Sequence, residues 1–201
     1  MNALKIDKRF NELMTFAASE AATALSDLLK KPMKVEVMDV SFASKGIQNE
    51  VANLSPSNGG AIIMATTLVG MVDGVGTFIL PTPSALRLCD ALLRTQKGDT
   101  KHLGEMEQSA LLEAGNIVIG CFLNALGYVS NLNNILHKKL SITISPNGKL
   151  PDFKYPNHSD ELIVRASFHM RHINPDGYQD GIDIDGLCAF FFSPTSVFAK
   201  I

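Results

Sequence analysis

The chain repeats itself, and that constrains its fold more than any other feature. "ELMTFAASEAATALSDLL" from Glu12 can be laid over "EAGNIVIGCFLNALGYVS" from Glu113, an offset of 101, with Ala24-Leu25 falling on Ala125-Leu126. Further along, "GVGTFILPTPSAL" from Gly74 matches "GLCAFFFSPTSVF" from Gly186 at an offset of 112, with Phe78 on Phe190. In both members of the second pair an apolar run closes on a Pro/Thr/Ser turn. Two matches in the same order point to a duplicated unit with insertions between them in the second half. The expectation is one domain, residues 1–201, made of two repeats of about 1–100 and 101–201.

Each repeat reads in the same order. Residues 8 to 30 and 105 to 131 place apolar side chains at helical spacing between Ser/Asp/Asn-rich ends. Strand patterns follow each helix: "KVEVMDVSF" alternates, and "GAIIMATTLVGMVDGVGTFIL" reads as two strands joined at Asp73-Gly74. "LSITISPNGKLPDF" ends its strand on a Pro-Asn-Gly turn, and "LIVRASFHMRHI" and "GLCAFFF" supply the rest. The first repeat closes with a helix, "SALRLCDALLRT", whose start at Thr82-Pro83-Ser84 has the right chemistry for a helix N-terminus. The equivalent segment of the second repeat, "TSVFAKI", is where the sequence stops, so a missing terminal helix is expected there. These elements predict an α+β fold: a pseudo-twofold duplication with a mixed or antiparallel sheet and the helices mainly on one face.

Composition narrows function. A net charge of −2 gives no basic field for nucleic acid. Cys89, Cys121 and Cys188 are far apart, each in an apolar run, and no C-x-x-C pair exists, so buried, inert thiols are expected. The N-terminus carries charges where a signal peptide needs its apolar core, and no uninterrupted apolar stretch looks long enough to span a bilayer. The expectation is a cytoplasmic protein without a membrane partner.

Chemistry concentrates in "SALLEAGNIVIGCFLNALGYVSN", residues 109 to 131. At 100° per residue Ser109, Glu113, Asn116, Gly120, Asn124 and Gly127 fall at about 0°, 40°, −20°, 20°, 60° and 0°, one narrow strip on an otherwise apolar helix. The strip's glycines leave the backbone open to close approach by another surface. A plain solvated face is the alternative, although such faces are usually richer in Lys, Arg and acids.

Other constellations read as structure. His169 and His172, three apart in a strand, face opposite sides and cannot share a metal. Asp176, Asp180, Asp183 and Asp185 lack the EF-hand order and its closing Glu, and read as a polar hairpin loop. "GMVDGVG" lies between strands with no Lys-Ser/Thr and no helix after it, so it is a turn. "SNLNNILHKK" reads as a helix end and loop without assignable chemistry.

The Ser109-Ala-Leu-Leu-Glu113-Ala-Gly-Asn116 run resembles the CheC/CheX/FliY family of chemotaxis phosphatases, whose helix carries Asp or Ser, three residues, Glu, two residues, Asn. "EMEQSALLEAGNI", "EAATALSDLLKKP" and the duplication, typical of the CheC branch, extend the resemblance over essentially the whole chain. The resemblance implies hydrolysis of the aspartyl phosphate of a CheY-type response regulator, with Glu113 and Asn116 catalytic. Asn116 would hold the attacking water, and Glu113 would pair with the receiver's phosphate-contacting lysine. Ser109 would support them.

The same resemblance implies no cofactor or metal of its own, Mg2+ being expected on the phosphorylated partner. Subtracting 101 gives Lys8, Glu12 and Thr15 as a degenerate first site that lacks the amide. CheD is not expected to bind, because the final helix that would dock it is short or missing, and the molecule would be a monomer or a homodimer. A non-catalytic adaptor or flagellar switch component is the second reading. For a small-molecule enzyme the sequence offers no cofactor loop.

Overall fold

A computed structural model describes residues 8–43, 60–70, 73–129, 135–151, 162–172 and 182–192. Helix α1 (Lys8–Leu29) leads into β1 (Met33–Ala43), β2 (Ala61–Gly70) and β3 (Gly74–Pro81). Helix α2 (Thr82–Leu93) and helix α3 (Glu105–Val129) come next. β4 (Ile135–His137), β5 (Ser141–Ser145), β6 (Leu162–His172) and β7 (Asp183–Phe192) complete the order.

Local chemistry explains where the helices stop. Lys30 takes a left-handed conformation, φ 55°, and the Lys31 N–H then reaches back to the Ser26 carbonyl at 3.2 Å, ahead of Pro32. Ser26 also ties the helix to the sheet: its hydroxyl donates to the Ala22 carbonyl at 2.6 Å and accepts the Met33 N–H at 2.8 Å. Arg94 closes α2 in the same way, at φ 57°, and the Thr95 N–H caps the Asp90 carbonyl at 3.0 Å. At the other end of α2 the cap is Pro81, without a side-chain hydrogen bond; the Thr82 N–H is met instead by the Gly60 carbonyl at 3.2 Å. The expected Thr82-Pro83-Ser84 start is thus the first turn of the helix, with Pro81 as its cap.

All sheet pairings are antiparallel, in the order β1-β6-β7-β3-β2-β4, with β5 beside β4 on the same edge of β2. The order is pseudo-twofold. With β5 taken as the edge partner of β2 and β4 left without a counterpart, exchanging β1 with β5, β2 with β6 and β3 with β7 reproduces it from the opposite edge. The central pair β3/β7 aligns Thr77 with Ala189, 112 residues apart, and flanks it with Gly76↔Phe190 and Phe78↔Cys188. The buried Thr77 hydroxyl donates to the Ala189 carbonyl at 2.9 Å on that axis.

The three helices cover one face. Met14, Ala21 and Leu25 of α1 and Leu111, Val118, Ile119 and Phe122 of α3 meet Met64, Phe78, Phe168 and Phe190 of the sheet, all 2% exposed or less. Phe78 stacks on Phe168 at 5.4 Å, and Phe122 of α3 tilts against Phe190 at 6.5 Å. Burying each such side chain contributes about 1.5–3 kcal/mol, enough to fix α3 over the centre of the sheet. The opposite face carries a second buried cluster, Ile63, Ile79, Leu187 and Phe191 with their neighbours.

Three expectations need correction. Ile135–His137, read as loop, is a strand, because β2 outruns β5 and its last residues, Leu68–Gly70, pair with it. Asp183 and Asp185, read as hairpin loop, belong to β7, where their charges face solvent while Ile184 is buried. Cys121 is only partly buried, whereas Cys89 and Cys188 are enclosed as expected. Asp176, Asp180 and the terminal segment of the second repeat lie outside the described residues.

Candidate functional site

Helix α3 runs 25 residues, with Glu105 and Glu107 in its first turn, where acids complement the helix dipole. The Gln108 side chain donates to the Leu103 carbonyl at 3.0 Å and its N–H to the Gly104 carbonyl at 3.0 Å, anchoring that end. By length and composition the segment Glu105–Gly127 could cross a membrane, contrary to the sequence reading; here its apolar sides pack on the sheet and on α1.

Against that packed body, Ser109, Glu113, Asn116 and Asn124 are all exposed, and Gly120 between them is half-exposed. Ser109, Glu113 and Asn116 follow one another at i, i+4 and i+7, so neighbouring Cβ atoms are about 5–6 Å apart and the three span about 10 Å of helix axis. A Cβ built on Gly120 meets nothing within 4 Å, so the strip is bare there. Gly127 departs from the expected strip: it is buried, as are Ala125 and Leu126 beside it.

Gly115, to which the sequence reading gave no role, sets the height of the strip. A Cβ there would lie 2.9 Å from Met64 Sδ, 3.3 Å from Leu140 Cδ2 and 3.4 Å from Phe78 Cδ1. The helix therefore rests directly on the sheet at the residue before Asn116. The available signal was angular: Gly115 projects about 120° from the strip, into the apolar side, where a glycine has no solvent role.

On α1, Glu12 and Thr15 are exposed, as are Ser19, Glu20 and the half-exposed aromatic face of Phe16. The Lys8 side chain lies outside the described set. Thr15 offers a hydroxyl on its β-carbon where Asn116 offers an amide one carbon further out, so the two strips are not chemically equivalent. Glu20 approaches Cys121 of α3 and, after burial, is the second influence pushing that thiol's pKa up.

His169 and His172 follow the expected alternation: β6 sends Phe168 and Met170 into the core and His169 outward. His169 is held by two carboxylates of β7, with Nε2 2.8 Å from Asp183 and Nδ1 2.8 Å from Asp185. Arg171 and Glu36 continue this polar ladder onto β1 at 3.3 Å. Such partly exposed pairs order a surface and contribute little stability.

No family model and no curated protein matches the chain. Solved structures do. FliY of Thermotoga maritima superposes with a TM-score of 0.71 at 18% identity, over 100% of this chain and 96% of that one. This is the CheC/CheX/FliY fold. FliM in the FliG–FliM complex from H. pylori shares it at a TM-score of 0.62 and 13% identity, over 96% of this chain and 97% of that one. CheX from Desulfovibrio desulfuricans shares it at 0.52 and 10%, over 90% and 99%. At these identities the likeness concerns the fold. In the CheC/CheX/FliY fold of this chain, the exposed Ser109-Glu113-Asn116 strip lies on the helix that opens the second half.

Proposed function

We propose that this protein is a phosphatase acting on the aspartyl phosphate of a CheY-type response regulator. The observation that carries the reading is the joint exposure of Glu113 and Asn116, one turn apart, on a strip left open by Gly120. Phosphoryl transfer from an acyl phosphate to water asks the protein mainly for position and charge. Water attacks phosphorus in line, the P–O bond to the aspartyl oxygen breaks, the carboxylate leaves with the bonding pair, and inorganic phosphate departs. The Asn116 amide can accept a hydrogen bond from that water and donate one to a phosphoryl oxygen. Glu113 supplies the charge that pairs with a lysine beside the phosphate, fixing the docking register. Ser109 supports the register one turn earlier. Mg2+ belongs to the receiver, and the site of action is the cytoplasm.

A second reading is a switch component that binds the same receiver without turnover. Its support is the greater overlap with FliM than with CheX, at TM-scores of 0.62 against 0.52. One experiment separates the two: following phosphate loss from a phosphorylated CheY-type receiver with and without the protein. Loss faster than the receiver's own rate, abolished by Asn116→Ala, supports phosphatase. Saturable binding with an unchanged rate supports the switch reading and overturns the first.

A further inference from the structure

A cleft of about 50 Å3 opens where α2, the loop after it, the end of α1 and the residue before β7 meet, lined by Lys31, Arg87, Asp90, Thr95, Lys97 and Ile182 among others. Three cations thus share one small opening in a chain whose net charge is −2. Arg87 donates from Nη2 to the Ser84 hydroxyl at 3.3 Å, while its Nε–H is buried without an acceptor. The obvious acceptor is Asp90, one turn on along the same helix.

Asp90 is engaged elsewhere. Its carboxylate accepts the Gly98 N–H at 2.6 Å, the Thr100 N–H at 2.8 Å and the Thr95 hydroxyl at 3.2 Å, which together fold residues 94–100 around it. The loop has drawn the acid away from the guanidinium, and Lys97, carried on that loop, makes no ion pair among the described residues. A buried donor left unmet is costly in a native protein and calls for a partner. The Asp90 charge is spread over three donors, so an incoming anion settles on the Arg87/Lys97 side of the opening.

We infer that this cleft binds one tetrahedral oxyanion of the phosphate class, held by the Arg87 guanidinium and Lys97. An opening of this size, unclosed on its solvent side, can receive one such group. A planar fork and a point charge converging on one opening is the usual chemistry of phosphate recognition. The same group can arrive as free phosphate or at the end of an ester, and the inference does not depend on the α3 strip.

Titration at constant ionic strength tests it, with inorganic phosphate and, separately, phosphoserine, on the wild type, Arg87→Gln, Lys97→Ala and Asn116→Ala. Saturable binding weakened at least tenfold in the first two variants and unchanged in Asn116→Ala is the expected result. Saturation by phosphoserine alone supports a carried phosphoryl group. Failure of both probes to saturate, or full binding in Lys97→Ala and Arg87→Gln, overturns it. Lys97 is exposed, so its variant keeps the test decisive should Arg87→Gln fold poorly.

Discussion

The same substitution at two glycines of one helix should change stability in opposite directions. Replacing a mid-helix glycine by alanine gains about 1 kcal/mol from backbone entropy. At Gly120 nothing lies within 4 Å of the new methyl, so that gain stands alone. At Gly115 the methyl falls 2.9 Å from a methionine sulfur and 3.3–3.4 Å from two more carbons, on side chains no more than 7% exposed. Overpacking of this kind costs about 1–3 kcal/mol and outweighs the propensity gain, so Gly115→Ala should lose up to about 2 kcal/mol net. Urea unfolding followed by far-UV circular dichroism reads both variants, with the slope checked for constancy. Gly120→Ala should also weaken receiver binding while raising stability, since its methyl stands on the strip proposed to dock the receiver. If Gly115→Ala is stabilised as much as Gly120→Ala, the helix does not rest on the sheet where we place it.

Asn116→Ala should lower the dephosphorylation rate about 100-fold with receiver affinity nearly unchanged, whereas Glu113→Ala should weaken binding as well; surface plasmon resonance beside turnover separates them. Lys8→Ala and Thr15→Ala should leave turnover within roughly twofold of wild type, and a loss as large as that of Asn116→Ala would reveal a second working strip. Burial raises the Asp90 carboxyl pKa, but donors from Thr100, Gly98 and Thr95 outweigh it and hold it below the usual carboxylate range. Its stabilisation is therefore complete above that range and lost as pH falls through the lowered value. Asp90→Asn should cost about 1–3 kcal/mol at neutral pH, and the gap should close in acid, as denaturation at stepped pH would show. Burial pushes the Cys89 thiol up to about 12 and Cys188 further still, so in a thiol-reagent time course Cys121, only partly buried, should react first.

The sequence reading of α1 and α3 agrees with the structure at their starts and within two residues of their ends, because a long apolar period leaves few alternatives. β3 and β7 were legible from continuous apolar runs, as strands covered on both faces require. What escaped was set by distant partners. Nothing local marks Ile135–His137 as a strand; its three residues are recruited by the free end of β2. Asp183 and Asp185 look like loop until His169, on the neighbouring strand, is seen between their carboxylates. The strip of Ser109, Glu113 and Asn116 was readable as an angle, but the depth of Gly115 depends on Met64 and Phe78, which no helical pattern contains.

The strand order also bears on how the chain reaches this state. Among the described residues β1 pairs with β6 alone, whose residues lie about 120–140 positions away, and β5 with β2 alone, about 80 positions away. Neither half can satisfy its own edge strand. Synthesised alone, the first half would hold the β2/β3 hairpin with both edges bare and β1 without a ladder, a surface prone to aggregation. Folding must therefore wait for the second half to emerge, and it will be slow and cooperative because the long loops close before their contacts form. Cut in the exposed loop after α2, the chain should yield two pieces that are insoluble apart and regain structure when refolded together.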